Sequence, residues 1–418
     1  MRRLGAPLIS SSPRLGRRAL ASARGRAAGW FRAVAAGSFV VPLSAALAQY
    51  PSVGEPAPAW AWDQVAGSKV IEGQFHGRFD FTLREPPAPR WIRVEVQPDE
   101  TLDALADRFG VTPTAIAEWN RLRSAGKDLR YGRKLRIHAQ RFPRYRSRLY
   151  YWVQQSSETW ESVARAFGLD VRTLQRFNRL KGERPLRRGQ RLTVWAESAL
   201  PRWGHPPQSN PPIEVVVPTG SLSRGLPSDG SLVNAQRLPE SELYTLKRPS
   251  AAYASTHTMA QLQRGISAFR RRTGFAGEVL IASASTRGGG RFSPHLSHQS
   301  GRDVDIGLVA FPIFAGGQEA KEHEVDWGAT WALLQELIDT GQVEFVFLVY
   351  SQQKKLYEAA QAMGASELTL ETVFQYPRGP SAPLGVIRHA PGHQRHFHIR
   401  FRCGPADRDC RSSTFDSV

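Results

Sequence analysis

The chain has 418 residues, with 56 lysines and arginines against 37 acidic residues and a formal charge of +19. Such a balance bears on association rather than on fold. It allows phosphate binding, but the arginines are scattered without a recognition motif, so the reading is no nucleic acid. The chain has only two cysteines, too few for a structural zinc site of thiolates.

Residues 1–48 read as an export segment. Eight arginines and no acid precede residue 49, and without them the formal charge falls to about +11. An apolar run from Ala33 to Leu47 follows and ends in Ala46-Leu47-Ala48, the pattern of a secretory signal with cleavage after Ala48. The run is short of the about 20 apolar residues that a membrane span needs, and no later segment reaches that length. No transmembrane span is expected after signal cleavage, and the expected location is the periplasm or the exterior. An arginine-rich transit peptide and a start codon placed too early are the alternatives for this long front.

After a proline-bearing stretch, residues 91–138 and 149–195 repeat one pattern with a period of about 58 residues. Val96, Thr101, Phe109-Gly110, Trp119-Asn120-Arg121-Leu122 and Gly132 recur as Val153, Thr159, Phe167-Gly168, Phe177-Asn178-Arg179-Leu180 and Gly189. Each copy predicts strand, helix, helix, strand. Thr101 or Thr159 caps the first helix, and Gly110 or Gly168 ends it. Phe109, Phe167, Leu105 and Val163 read as core. These residues resemble LysM modules, which implies binding to the sugar backbone of peptidoglycan, with contact expected on the loops around 97–102 and 122–129. The second copy carries one extra residue in its first loop. Residues 201–218, rich in proline, then predict a semi-extended spacer, tethering the sugar binder to the C-terminal half of the chain.

Residues 219–418 predict an α+β domain. Helices are expected at 258–273, 328–340 and 352–363, with Asp326 capping the second. An antiparallel sheet is expected to include 278–284, 303–309, 343–350 and 396–402. Two histidine clusters stand out, His295-Leu-Ser-His298 through Asp303-Val-Asp305, and His393-Gln-Arg-His396-Phe-His398-Ile-Arg400. On a strand His396, His398 and Arg400 share one face while Phe397, Ile399 and Phe401 enter the core. His298, Asp305 and His398 then offer two imidazoles and one carboxylate, a three-ligand catalytic zinc set. His396 is left to move protons or stabilise an oxyanion, and His393 is the second catalytic candidate, helping with proton transfer or acting as an outer partner. The His-Glu-x-x-His pattern of helical metalloproteases is absent, since His323-Glu324 never closes it.

These two clusters, with Gly220-Ser-Leu-Ser, Asn234-Ala-Gln-Arg-Leu-Pro and Arg402-Cys403-Gly-Pro-Ala-Asp, resemble the penicillin-insensitive murein endopeptidases, relatives of lysostaphin and the D-alanyl-D-alanine peptidases. The resemblance implies a zinc peptidase cutting peptide cross-links in peptidoglycan, with His298, Asp305 and His398 as ligands and His396 as the catalytic histidine. It places His295 near the metal. His323 and Asp326 are weak candidates for a second metal, and Ser231 stands where relatives often carry a cysteine. Cys403 and Cys410 suit a disulfide in an exported chain, a reduced pair being the alternative. Arg287 and Arg302 are candidates for a substrate carboxylate. The triple glycine at 288–290 lacks a phosphate-loop ending and is expected to let backbone pass near the metal. A D,D-carboxypeptidase or other peptidoglycan peptidase, and a wall-binding scaffold with an idle metal site, are the competing functions.

Overall fold

A computed structural model describes residues 65–71, 73–79, 85–98, 100–122, 129–179, 184–201, 203 and 213–412. The export segment read at 1–48, most of the proline-rich stretch and most of the loop at 122–129 lie outside these residues.

Strands β1 (Val65–Ile71) and β2 (Gln74–Phe79) form an antiparallel hairpin ahead of the repeats. The first repeat runs β3 (Arg90–Glu95), α1 (Leu102–Phe109), α2 (Pro113–Trp119) and β4 (Lys134–Ala139). The second runs β5 (Arg146–Trp152), α3 (Trp160–Ala166), α4 (Val171–Phe177) and β6 (Arg191–Glu197). Thr101 accepts from the Ala104 amide at 3.1 Å, and Thr159 forms a capping box with Ser162. Gly110 closes α1 in the left-handed conformation at φ 70°. Helices this short are marginal alone; burial of Leu105, Phe109 and Ile116 against Leu135 and Ile137 holds them.

The repeated asparagine has a structural reason. The Asn120 side chain donates to the carbonyls of Ile116 at 2.9 Å and Arg136 at 2.8 Å, and accepts from the Arg136 amide at 2.8 Å. Asn178 repeats this with Leu174, Thr193 and the Thr193 amide at 2.8, 3.0 and 2.7 Å. Each carboxamide therefore sews a helix end to the closing strand, satisfying backbone groups that would otherwise be left without partners.

The proline-rich stretch departs from a spacer at its end. Glu214–Pro218, a valine-rich run suited to a sheet, is strand β7, pairing with β2 from Gln74↔Pro218 to Arg78↔Glu214. The hairpin β8 (Leu222–Leu226) and β9 (Asp229–Val233) follows. Two-residue strands come next: β10 (Gln236–Arg237), β11 (Thr245–Leu246) and β12 (Tyr253–Ala254), of which β10 pairs with β12.

Helix α5 (Thr256–Thr273), β13 (Leu280–Ser283), β14 (Asp303–Gly307), α6 (Trp327–Ile338) and β15 (Val343–Phe347) form the body of the C-terminal domain. Helices α7 (Tyr350–Ala362) and α8 (Glu367–Val373) and strands β16 (Ile387–Arg388) and β17 (His396–Phe401) complete it. The six-stranded sheet has the order β11-β13-β14-β17-β15-β16. Its four central strands are antiparallel, as expected, while the short outer strands β11 and β16 pair parallel. The three expected helices are present, each beginning one or two residues early, and α8 is additional. Val304, Ile306, Phe397 and Ile399 join Ile266 and Phe269 of α5 and Trp331 and Leu334 of α6 in one core. At Gly265 the two helices approach so closely that a Cβ would lie 2.6 Å from Leu337.

The second repeat packs directly on this domain. Phe311 is buried in the core of the repeat, and Phe314 packs beside Tyr151 and Phe167 with ring centroids 6.3 and 6.0 Å away. Asp326 caps α6 through the Ala329 amide at 3.0 Å and also accepts from Ser198 Oγ at 3.0 Å and the Ala199 amide at 2.7 Å. Burial pushes this carboxyl up to about 6.

Candidate metal centre

Strands β14 and β17 pair with Asp303 opposite Arg400, Asp305 opposite His398 and Gly307 opposite His396. Directly opposed residues share a face, so the alternation in both strands gathers the charged side chains on one side. The other side is apolar, with Phe397, Ile399 and Phe401 fully buried. His298 reaches the same face from the preceding loop, at φ 68°, a conformation unfavourable for a side chain with a Cβ. It is held by its amide donating to Asp303 Oδ2 at 3.0 Å and by Ser285 Oγ donating to its carbonyl.

Three atoms converge. His298 Nε2 lies 3.1 Å from His398 Nδ1 and 3.2 Å from Asp305 Oδ1, and His398 Nδ1 lies 3.3 Å from Asp305 Oδ1. A tetrahedral zinc site with bonds of about 2.0–2.1 Å has edges of roughly 3.3–3.4 Å, so the three atoms are spaced as three of its corners. Asp305 Oδ1 is buried without a hydrogen-bond partner, an oxygen left for a cation. His298 Nδ1 lies 2.7 Å from the Ala284 carbonyl and must donate to it, which leaves Nε2 as a lone pair facing the other two atoms. Such an outer hydrogen bond is the usual way a metal-ligating imidazole is oriented. Ser283 Oγ donates to Asp305 Oδ2 at 2.8 Å and fixes that carboxylate. The donor set fits zinc.

Both carboxylates beside this triangle are held ionised. Burial opposes ionisation of Asp303 and Asp305, yet Arg400 beside the first and His298 beside the second hold both well below the usual carboxylate range. Burial works against a charged His398, but Asp303 and then Asp305 outweigh it and raise the imidazole to about 9. Arg400, whose Nε lies 2.8 Å from Asp303 Oδ1, neutralises one carboxylate; the other is answered by imidazoles alone.

The remaining histidines line the rim. His295 Nδ1 is 3.6 Å from Asp305 Oδ2, with its ring stacked on Phe292 at 4.7 Å. Burial and then His298 push His295 down to about 4, so it stays neutral. His393 donates from Nδ1 to the Pro391 carbonyl at 2.8 Å and lies 5.1 Å, ring to ring, from His396. Burial and then His398 hold it too at about 4. His396 Nε2 faces Asp305 Oδ1 at 3.8 Å. Among the described residues, two further groups of three that could hold an ion, His295, His298, Asp305 and Asp305, His393, His398, overlap this triangle.

Two residues to which the sequence assigned no role belong here. Asp303 faces His398 Nε2 at 3.3 Å and joins it to Arg400 and to the His298 amide. Glu319 meets His396 Nδ1 at 3.2 Å through Oε1 and Lys247 Nζ at 3.2 Å through Oε2. The hydrogen bond from His396 is the largest influence in lowering Glu319 to about 2.

Other expectations are corrected. Arg302 is fully buried and bonded to the Phe401 and Arg411 carbonyls and to Glu344, so it is not placed to take a substrate carboxylate; Arg287 is exposed. His323 and Asp326 form no second metal cluster among the described residues, because His323 lies against Trp152 at 4.8 Å and Asp326 is the helix cap. At the triple glycine two stretches of backbone do run close together, beside the residue that follows His298. A Cβ on Gly289, at φ 71°, would lie 2.1 Å from the Gln299 carbonyl. In the first repeat, Gln97 is buried, and Glu100 is paired with Arg108 at 2.6 Å. A cleft of about 570 Å³ between the repeats and Phe311 has no histidine in its lining and brings no catalytic set together.

Cys403 and Cys410 form a disulfide. It closes the exit of β17, where the Arg411 amide donates to the Gly225 carbonyl at 3.0 Å and ties the tail to β8.

Comparison with known proteins agrees with the motifs. Residues 223–416 match the family model described as penicillin-insensitive murein endopeptidase, and residues 94–138 and 155–195 match the LysM domain. A penicillin-insensitive murein endopeptidase of Citrobacter koseri is 28% identical over 204 residues, covering 46% of this chain and 69% of that protein. One of Yersinia enterocolitica is 28% identical over 193 residues, covering 43% of this chain and 65% of its own. The spore cortex-lytic enzyme SleL of Bacillus cereus superposes over 33% of this chain and 25% of its own, at 18% identity and a TM-score of 0.12, too little to bear on the fold. The resemblance read from the motifs thus extends through the C-terminal domain and both repeats.

Proposed function

We propose that this protein is a zinc-dependent endopeptidase that hydrolyses peptide cross-links in peptidoglycan, exported to the periplasm or the exterior and brought to the wall by its two LysM repeats. The observation that carries the reading is the triangle of His298 Nε2, His398 Nδ1 and Asp305 Oδ1, with sides of 3.1–3.3 Å, together with the partnerless buried oxygen of Asp305. The family match supports the substrate class. Zinc in such a setting supplies Lewis acidity toward a carbonyl and lowers the pKa of water to roughly 7.

The chain's own groups do the rest. His396 presents Nε2 toward the ligand triangle, with Nδ1 directed at Glu319, and takes up or returns a proton at Nε2 during bond cleavage. His393, with Nδ1 committed to Pro391, offers its other nitrogen beside His396. His295, its ring stacked on Phe292, stands beside Asp305 at 3.6 Å. No serine nucleophile takes part, so β-lactams leave the activity unchanged.

The test is mass analysis of soluble cross-linked muropeptides after incubation with the zinc-loaded protein, beside His398→Ala. Dimers converted to monomers only by the intact protein support the reading. Release of terminal D-alanine alone points to a carboxypeptidase, and unchanged dimers with normal wall binding point to a scaffold.

A further inference from the structure

Residues 310–325 form a loop closed at its neck. Ala310 bridges Val325, the Phe311 amide donates to the Glu324 carbonyl at 3.0 Å, and the Asp326 amide donates to the Val309 carbonyl at 2.8 Å. One side of the loop is anchored in the second repeat. Phe311 lies in its core, Phe314 packs on Tyr151 and Phe167, and His323 leans on Tyr150 and Trp152 at 6.2 and 4.8 Å. The turn between these anchors is fixed to the peptidase domain, where Glu278 accepts from the Gly316 and Gly317 amides at 3.0–3.1 Å. Immediately after that turn comes Glu319, pinned between Lys247 and His396 at 3.2 Å from each.

A histidine's useful nitrogen is set by the hydrogen bond that the other one makes. A carboxylate at Nδ1 keeps the proton there and leaves Nε2 as the lone pair toward the ligand triangle. We propose that Glu319 is the positioning residue of His396, and that the second repeat contributes to catalysis by holding the loop that delivers Glu319. This rests on the peptidase reading above. It departs from a simple tether, which would raise only the local concentration of substrate and would do nothing for a substrate without sugar.

The experiment uses the full chain, zinc-loaded, with a cross-linked peptide dimer stripped of sugar. Glu319→Ala is expected to lower kcat by about 10–100-fold, with KM and bound zinc unchanged. Glu319→Gln, which keeps an acceptor at Nδ1, is expected to recover part of that loss. Phe314→Ala, which removes packing on Tyr151 and Phe167, is expected to lower kcat on the same sugar-free dimer several-fold. Nitrogen NMR of the imidazoles gives a second readout: His396 carries its proton on Nδ1 in the parent chain and loses that preference in Glu319→Ala and, in part, in Phe314→Ala.

Wild-type kcat for Phe314→Ala on the sugar-free dimer, with loss only on intact wall, would restore the tether and overturn the contribution of the repeat. An unchanged His396 tautomer in Glu319→Ala would overturn the positioning role. If the parent chain leaves the dimer intact while the tautomer follows Glu319, the peptidase reading fails and the positioning stands.

Discussion

The repeats and the strand pair β14–β17 bury opposite kinds of side chain. In the first repeat the core is apolar, with Gln97 and the pair of Glu100 and Arg108 buried beside it and the other polar groups serving as caps and as the Asn120 bracket. In the strand pair one face is apolar, while the other places Asp303, Asp305, His398 and Arg400 at 4% exposure or less. Burying charge is unfavourable unless it is paired or holds a metal. The difference separates what keeps the chain folded from what the fold was shaped to hold.

Removing one member of the buried polar face has the largest expected effect. His398→Ala, or chelation, should abolish zinc binding and lower dimer hydrolysis by about 10³-fold or more, since the site loses a ligand outright. Sacculus binding should persist, and zinc should restore the chelated parent but not the variant. Retained hydrolysis with no bound metal would falsify the zinc assignment.

The apolar side of the comparison responds in stability. Leu105→Ala in the first repeat and Leu174→Ala in the second each remove a fully buried leucine, a loss of about 2–5 kcal/mol from the repeat concerned. Denaturant melts should show comparable shifts. The two variants should part company in kcat on the sugar-free dimer. Leu105→Ala should leave it unchanged, whereas Leu174→Ala should lower it, because the second core also seats Phe311.

Smaller again is Asn178→Ala. It strips partners from the Leu174 and Thr193 carbonyls and the Thr193 amide, for about 1–3 kcal/mol. Asn120→Ala should match it, and a large disparity would mean that the brackets are not equivalent.

The gentlest test is pH. Burial holds His257, in the first turn of α5, down at about 4. Between about 6.5, its unfolded value, and 4 the unfolded chain binds a proton that the folded chain refuses. Stability from this residue is therefore complete above about 6.5 and is lost as pH falls through that window, by on the order of 1–3 kcal/mol. His257→Gln should flatten this part of the stability profile.

The same contrast explains what could be read from the sequence. A repeat's core is made largely of its own residues, so its periodicity, caps and closing glycine announce it locally. The proposed ligand positions on the two strands were legible because alternation in Asp303-Val-Asp305 and His396-Phe-His398 needs only the strand geometry. Arg302 looked like a surface arginine, since pattern cannot distinguish a guanidinium facing water from one enclosed by carbonyls and Glu344. Glu319 had no signal at all: it sits in a loop without periodicity, and its importance comes from where Phe311 and Phe314 anchor that loop. The sheet of β1, β2 and β7 escaped because Gly77 leaves a gap between Phe75 and Phe79 on the buried face of β2, and its partner strand lies beyond both repeats.

The intrusion of Phe311 into the second repeat bears on how such a chain can change by duplication and loss. The first copy takes no core residue from the C-terminal domain, although β3 and Phe142 rest on α7 and Gly364, so of the two it is the one more easily multiplied or discarded. Excising the second would strand Phe311 and Phe314 in water and unseat the loop between them, so its inheritance is bound to that of the peptidase. Across homologues, copy number should vary upstream of the second repeat, while the second repeat and an aromatic pair at the positions of Phe311 and Phe314 should be kept or lost together.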